Sequence, residues 1–262
     1  MSRYKQVMHL AANEAGKIIV KQYNHLKPSD IKLKSAHDIV TKVDMMANRK
    51  IKSIIRKNFP SHDILSEETG LEDNDSKKYY WTIDPLDGTT NFSINNPLFC
   101  TAISLSKGDQ IVASIIYAPL LNELYYAEKG KGAYLNGRRI KVSNKQKLSE
   151  IVLLVDKTHN KSSRNKFFKL LDKFQYEVLN ARWFGSASLE QAFLAAGRVG
   201  ACIFAPPKLS RWDLNPGILL IKEAGGHVED FKGGAEYYNT GLIAGNRQVV
   251  KKIQQKIKKW KF

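Results

Sequence analysis

The stretch Trp81-Thr82-Ile83-Asp84-Pro85-Leu86-Asp87-Gly88-Thr89-Thr90-Asn91-Phe92 constrains this chain more than any other. It begins as an apolar strand over residues 79–83. Proline fixes its own φ and has no N–H to donate, so the strand is expected to stop at Pro85 and the chain to turn there. A turn brings Asp84 and Asp87 round to one point. Oxygen-only ligands of this kind suit a hard cation such as Mg2+. Gly88 lets the backbone approach a ligand closely, and the amides after it can hold a phosphate oxygen. An ordinary Asp-Pro turn with an Asp-Gly bend fits the same residues, because all three are common turn formers. The remainder of the chain has to decide between the two.

The chain has 262 residues, 43% of them hydrophobic. That is enough for one large domain or two packed subdomains. No apolar run approaches the roughly 20 residues needed to cross a bilayer, and residues 1–10 lack the apolar core of a signal peptide. A soluble cytoplasmic protein with no membrane partner is expected. The two cysteines, Cys100 and Cys202, sit in apolar surroundings and are expected as buried thiols. The histidines have no zinc-like spacing and read as surface or turn residues. No Walker A, Rossmann or G-x-S-x-G pattern is present.

The net charge of +17 attracts anions: phosphorylated substrates, nucleic acid or an anionic surface. The densest cluster is Lys251, Lys252, Lys256, Lys258, Lys259 and Lys261. Its spacing with Val249, Val250, Ile253, Ile257 and Trp260 predicts a C-terminal amphipathic helix. The basic face reads as solvated, with a nucleic-acid patch as the alternative.

A helical stripe covers residues 4–23, and a second helix is expected over 44–58, where Asp44 also fits an N-cap. Residues 64–68 read as a short strand ending in Glu67 and Glu68, a pair expected at a solvated edge, followed by a polar loop over 71–78. Residues 98–140 show antiparallel hairpins, with turns at Lys107-Gly108-Asp109 and Asn136-Gly137. Beyond a polar join at 143–149, strands and helices alternate: strand 151–155, helix 162–174, a strand within 176–184, helix 186–196, strand 199–204, helix 213–224, strands 227–230 and 242–244, and the last helix. The expected fold is α/β (α+β layered). Residues 1–145 form a helix-covered antiparallel-sheet subdomain holding most of the candidate ligands, and residues 146–262 an α/β subdomain that completes the site.

Glu67, Asp84, Asp87 and Asp213 each lie at a strand-to-turn or loop-to-helix junction, where carboxylates from separate elements can converge. Asp213 also fits an N-cap, and Glu67 an exposed charge. Gly185-Ser186 precedes a helix whose first amides can meet an anion, or Ser186 is a plain N-cap. Four hard ligands around a phosphate pocket explain all of them together, since two divalent ions stabilise the attacking and leaving oxygens of a displacement.

With these residues in view, the chain resembles the inositol monophosphatase family of Mg2+-dependent phosphatases. The resemblance spans nearly the whole chain. It rests on Asp38-Ile-Val-Thr-Lys-Val-Asp44, Ser66-Glu-Glu-Thr-Gly70, the 81–92 stretch, Gly185-Ser-Ala-Ser-Leu189, and Trp212-Asp213 followed by Glu223-Ala-Gly-Gly226. It implies an αβαβα sandwich, lithium sensitivity, a homodimer, and two or three Mg2+ held by Glu67, Asp84, the Leu86 carbonyl, Asp87 and Asp213. It implies that Asp44, Glu67 and Thr89 orient and deprotonate a water that attacks phosphorus directly. Gly88, Thr89, Gly185, Ser186 and Ala187 would contact substrate. A basic residue beside the metals is expected around Lys34, with the spacing to Asp38 one residue short. Inositol-specific members carry an acidic residue seven positions before the Trp-Asp aspartate, where this chain has Pro206, which cannot accept a hydroxyl hydrogen bond. Pro216 is expected in the first turn of the following helix, which should survive it. The substrate implied is a small sugar, polyol or nucleotide phosphate. Fructose-1,6-bisphosphatase or 3′(2′),5′-bisphosphate nucleotidase activity is an alternative, and so is an RNA- or transcription-associated role.

Overall fold

The computed structural model describes residues 2–35, 38–72 and 79–260. The first part of the chain runs α1 (Arg3–Gln22), β1 (Ile31–Ser35), β2 (Asp38–Thr41), α2 (Lys42–Asn58), β3 (Asp63–Ser66), β4 (Gly70–Glu72), β5 (Tyr79–Asp87) and α3 (Thr89–Ser93). The hairpin strands follow: β6 (Cys100–Lys107), β7 (Gln110–Ala118), β8 (Glu123–Glu128), β9 (Gly132–Leu135) and β10 (Arg138–Arg139). The alternating part is β11 (Val152–Lys157), α4 (Lys161–Phe174), β12 (Asn180–Arg182), α5 (Ala187–Ala195), β13 (Ala201–Ala205) and α6 (Arg211–Glu223). It closes with β14 (His227–Glu229), α7 (Tyr237–Thr240), β15 (Leu242–Gly245) and α8 (Arg247–Lys259).

Three buried apolar clusters bind these elements into five layers. Val7, Met8, Ala11, Ala15 and Ile19 of α1, with Ile51 and Ile55 of α2, pack on one face of an eight-stranded sheet ordered β10-β9-β8-β7-β6-β5-β3-β4. The opposite face meets α5 and α6, which also cover a five-stranded sheet ordered β12-β11-β13-β15-β14. Helices α4 and α8 cover the far side of that second sheet. This is the αβαβα sandwich. Lying between two sheets, α6 is buried continuously from Leu214 to Ile221, so it reads as apolar all round rather than as a stripe. Gly217 lets α6 approach α5, since a Cβ there would fall 2.3 Å from Gln191. Both cysteines are free and buried. Among the described residues no helix is long and apolar enough to cross a membrane.

Several expectations need correction. Strand β5 does not stop at Pro85 but continues to Asp87. Its parallel neighbour β3 pairs only as far as Ser66↔Ile83, so no partner strand on that side requires the missing N–H of Pro85. On the other side, Asp84 faces Ala102 and Asp87 faces Cys100, with a bulge between them. A bulge is where a proline fits inside a sheet. Helix α2 starts at Lys42 with Thr41 as its cap, and α6 starts at Arg211 after Ser210, so neither Asp44 nor Asp213 is an N-cap. Pro216 lies in the second turn of α6, not the first, and the helix continues through it. Residues 70–72 are a strand paired with β3, not part of a loop; 73–78 of the expected loop lie outside the described residues, as does Lys261. His62 lies half-buried in the turn before β3. Its ring stacks on Phe59 at 4.8 Å and Tyr79 at 4.9 Å, and its Nδ1 accepts a hydrogen bond from Trp81 Nε1 at 3.1 Å.

Candidate active site

The parallel pairing of β3 with β5 sets the site. Because Ser66 lies level with Ile83, the next residues, Glu67 just past β3 and Asp84 still within β5, come side by side at the carboxyl end of β3. The Glu67 amide still donates to the Ile83 carbonyl at 3.0 Å, which fixes that position. The β5 bulge then redirects the backbone. The Leu86 amide donates to Asp84 Oδ1 at 3.1 Å, and Thr101 Oγ1 donates to the Pro85 carbonyl at 2.9 Å. The Leu86 side chain is buried in the α1–α2 layer, which holds its peptide in place. Gly88 follows in the left-handed region, φ 90°, where an L side chain is strained.

Helix α2 contributes Asp44, whose Oδ2 accepts from the Thr41 amide at 2.8 Å and from the Thr41 hydroxyl at 2.5 Å. The Thr89 hydroxyl lies 2.9 Å from Asp44 Oδ1 and equally close to the Leu86 carbonyl oxygen, so its single proton can serve either acceptor. Asp87 points into the start of α5. It accepts from the Ser188 amide at 2.6 Å, the Ala187 amide at 3.2 Å and the Ser186 hydroxyl at 2.9 Å. Ser186 therefore spends its hydroxyl on Asp87 rather than on capping its own helix. Gln191 Nε2 donates to the Asp213 carbonyl at 2.7 Å and ties the start of α6 to α5. Asn91 Nδ2 donates to the carbonyls of Leu98 (2.6 Å) and Phe184 (2.7 Å), which links the 88–98 segment to Gly185.

Burial pushes the Asp84 carboxyl well above the usual carboxylate range, and the charges of Glu67, Asp87 and Asp213 push it further. Burial does the same at Asp213, with Glu67 and Asp87 adding to it. Asp87 is pushed up to about 6 by burial, against the pull of the Ser188 amide and Ser186 hydroxyl. Asp44 is pushed up to about 6 by burial, opposed by its bonds from Thr41 and Thr89. Acids from β5, α6 and the end of β3 thus act on one another's charge. Such repulsion is relieved by protons or by a hard cation, and an oxygen-only donor set fits the latter. Among the described residues, no three acidic, histidine or cysteine side chains are already closed into a coordination sphere. The carboxylates face one another from separate elements, and Glu67 is held by Lys34 at 2.7 Å.

A pH dependence follows. An ordinary Asp titrates at 3.8, whereas Asp44 and Asp87 in the fold titrate at about 6. Between these values the folded state keeps protons that the unfolded chain has released. The stability these groups contribute is therefore present below the lower value and lost as pH rises through the upper. Each contributes up to roughly 3 kcal/mol. Metal-free protein should lose melting temperature between about pH 4 and about pH 6, and Mg2+ should remove that loss. A flat calorimetric profile would mean that burial does not hold these two carboxyls above their ordinary range.

The model of the inositol monophosphatase family matches residues 2–259. The chain belongs to the inositol monophosphatase family. Inositol-1-monophosphatase of Mesorhizobium japonicum is 36% identical over 255 residues, 97% of this chain and 95% of that protein. Nus factor SuhB of Escherichia coli K12 is 38% identical over 243 residues, 92% of this chain and 90% of that protein. The crystal structure of extragenic suppressor protein suhB from Bartonella henselae matches with a TM-score of 0.93 at 35% identity, covering 98% of this chain and 99% of that one. Membership in the inositol monophosphatase family makes the chain a phosphatase, a phosphoric monoester hydrolase.

Further charged groups of this family member surround the four acids. Lys34 on β1 binds both Glu67 (2.7 Å) and Glu68 (2.6 Å), and the Glu68 side chain is only 3% exposed, so this pair is not the solvated edge expected. Burial opposes the Lys34 charge, but the two glutamates overcome it and hold the ammonium above its usual range. Two buried acids escaped sequence reasoning. Asp156 at the end of β11 accepts from Trp183 Nε1 at 2.8 Å, and burial pushes it up to about 7. Glu190 on α5 accepts from the Phe184 amide at 2.7 Å and the Gly185 amide at 3.3 Å, holding the loop before Ser186. The signal differed: Asp156 closes the apolar run Ile151-Val-Leu-Leu-Val155, where acids are rare unless paired, whereas Glu190 lies between Leu189 and Gln191 and carries no such mark.

Proposed function

We propose that the chain is a Mg2+-dependent phosphomonoesterase acting on a small sugar, polyol or nucleotide phosphate. The observation that carries this reading is the convergence of four carboxylates from separate elements: Glu67 at the end of β3, Asp84 and Asp87 on β5, and Asp213 on α6. In this reading Glu67, Asp84, Asp87, Asp213 and the Leu86 carbonyl would hold two or three Mg2+. Bound Mg2+ would supply a more acidic water and neutralise charge on the phosphate. Thr89 accepts the hydrogen bond of the attacking water while its own proton goes to Asp44, which is buried and already bonded to it at 2.9 Å. Glu67 borders the same water. The amides of Gly88 and Thr89 cradle the phosphate, and Gly185, Ser186 and Ala187 border the alcohol it leaves. No side chain is phosphorylated. Pro206 offers that alcohol no acceptor, so inositol selectivity is not part of this reading. A cytoplasmic homodimer is the expected working form.

The test is phosphate release from a panel of sugar, inositol and nucleotide phosphates, including bisphosphates, in Mg2+, in chelator, and in Mg2+ with Li+. Release from at least one class, abolished by chelator and suppressed by Li+, is expected. No release from any of them in Mg2+ would overturn the reading.

A second reading, association with the transcription machinery, is favoured by the 38% identity to a protein named Nus factor SuhB. It is compatible with catalysis.

A further inference from the structure

In the five-stranded sheet β12, β11 and β13 run parallel, so their carboxyl ends lie on one side. In open α/β sheets ligands bind outside the carboxyl ends of parallel strands. Strand β13 ends at Ala205 and runs into Pro206-Pro207, whose side chains neither donate nor accept. Its neighbour β11 places Asp156 level with Phe204 and Lys157 level with Ala205. Asp156 therefore sits on the adjacent strand, two positions before the level of Pro206. Two contacts tie this strand end to the acidic site. Trp183 Nε1 donates to Asp156 Oδ1 at 2.8 Å, and Trp183 lies three chain steps from Ser186, whose hydroxyl donates to Asp87. Three steps span at most about 11 Å between Cα atoms. On the other side, His159 Nε2 lies 3.7 Å from Asp38 Oδ1, which brings the chain after β11 against the hairpin that carries Lys34. The charge of Asp87 acts on Asp156, and that of Asp156 on Asp213.

Asp156 is buried, and its hydrogen bonds are spent on one oxygen. Trp183 Nε1 and the Lys157 amide, at 2.7 Å, both reach Oδ1. Oδ2 takes no hydrogen bond among the described residues, and unlike Oε2 of Glu190 it is not sealed from the surface. Lys157 does not claim it: its ammonium lies 4.0 Å over the Trp183 ring and forms no ion pair among the described residues. The edge of Phe167, 5.3 Å away, also packs on that ring, which is still 49% exposed. A pinned, half-exposed ring beside an open carboxylate oxygen is an apolar wall with one acceptor set in it.

We propose that Asp156 Oδ2 accepts a hydrogen bond from a hydroxyl of the leaving alcohol while Trp183 walls its carbon frame, so that the site selects phosphates of polyhydroxy alcohols over simple alkyl phosphates. The inference rests on the phosphatase reading above and names its substrate class. A ligand entering beside Asp156 displaces water from Oδ2. A hydroxyl replaces that lost donor, whereas an alkyl group leaves the oxygen buried and unpaired. Trp183 also positions the acceptor, because its bond to Oδ1 fixes the direction in which Oδ2 points.

The test compares glycerol 2-phosphate with isopropyl phosphate, which has the same carbon frame and no hydroxyl, by kcat/KM of the full chain in Mg2+. The native chain should prefer the glycerol ester by at least about tenfold. Asp156→Asn keeps an acceptor for Trp183 and turns the second oxygen into a donor. It should lower kcat/KM for glycerol 2-phosphate by at least about tenfold and leave isopropyl phosphate within about twofold of native. Its melting temperature should be no lower than native, and its inhibition by inorganic phosphate unchanged. Trp183→Phe, which keeps a ring and removes the donor, should cost several-fold on glycerol 2-phosphate alone. No native preference, or an Asp156→Asn variant that loses equally on both esters or on neither, would overturn the inference and leave the phosphatase reading standing. Native turnover of neither ester would overturn it too, and the panel of sugar, inositol and nucleotide phosphates would then show whether the phosphatase reading falls with it.

Discussion

Replacing Asp84 with Asn should lower phosphate release at least about 1000-fold, because it removes the acid that faces all the others. Its stability should move the other way. Asp84 is buried with Glu67, Asp87 and Asp213 around it, and all three disfavour its charge. An amide of the same shape relieves that repulsion and keeps the backbone bond from Leu86, which goes to Oδ1. Metal-free Asp84→Asn should therefore melt no lower than the native chain at neutral pH, and the benefit native protein draws from Mg2+ should vanish. Activity within about tenfold of native would refute a central role for Asp84. A collapsed fold would show instead that the carboxyl is needed for structure.

Gly88→Ala should be the most damaging single methyl in the site. The residue sits at φ 90°, and a Cβ there would fall 2.9 Å from the Leu98 carbonyl oxygen and 3.2 Å from Ser186 Cβ. The left-handed conformation alone costs about 1–2 kcal/mol, and a contact with fixed backbone adds to it. A fall in melting temperature of about 5 °C or more is expected for a chain this size. The strain cannot be relieved locally, because Leu98 is fastened by Asn91 and Ser186 by Asp87. The Thr89–Asp44 bond must shift instead, so phosphate release should fall further than stability alone would dictate. A variant with native melting and native turnover would show that this turn is not held as described.

Much of the fold is legible in the sequence because it is local. The hairpins around Lys107-Gly108-Asp109 and Asn136-Gly137 and the helical stripes of α1 and α8 form as their periodicity predicts. What escaped was long-range or depended on position within a turn. The parallel register of β3 with β5 is invisible in either strand, yet it alone puts Glu67 beside Asp84. Pro85 argues for a chain end until the shortness of β3 is known. Asp44 and Asp213 were open to reading as N-caps, but each is the third residue of its helix. The spacing held the correct answer: Thr41-Lys-Val-Asp44 and Ser210-Arg-Trp-Asp213 share the pattern in which an acid reaches back to the cap amide. Asp44 accepts the Thr41 amide, and the Ser210 backbone pulls the Asp213 carboxyl down against the push of burial. Asp156 and Glu190 were passed over because nothing in their sequence neighbours tells what a buried carboxyl there faces across the fold.

The stretch from Asp84 to Thr89 is held to be a metal and phosphate hub, and calorimetric titration of Mg2+ into metal-free protein at about pH 6 tests that most directly. Carboxylates whose protons are held by burial must release them to a cation, so binding should be accompanied by proton release, seen as a dependence on the ionisation heat of the buffer. Asp84→Asn should lose most of the binding and most of the released protons. Absence of Mg2+ binding to the native chain, or binding that Asp84→Asn leaves intact, would contradict it.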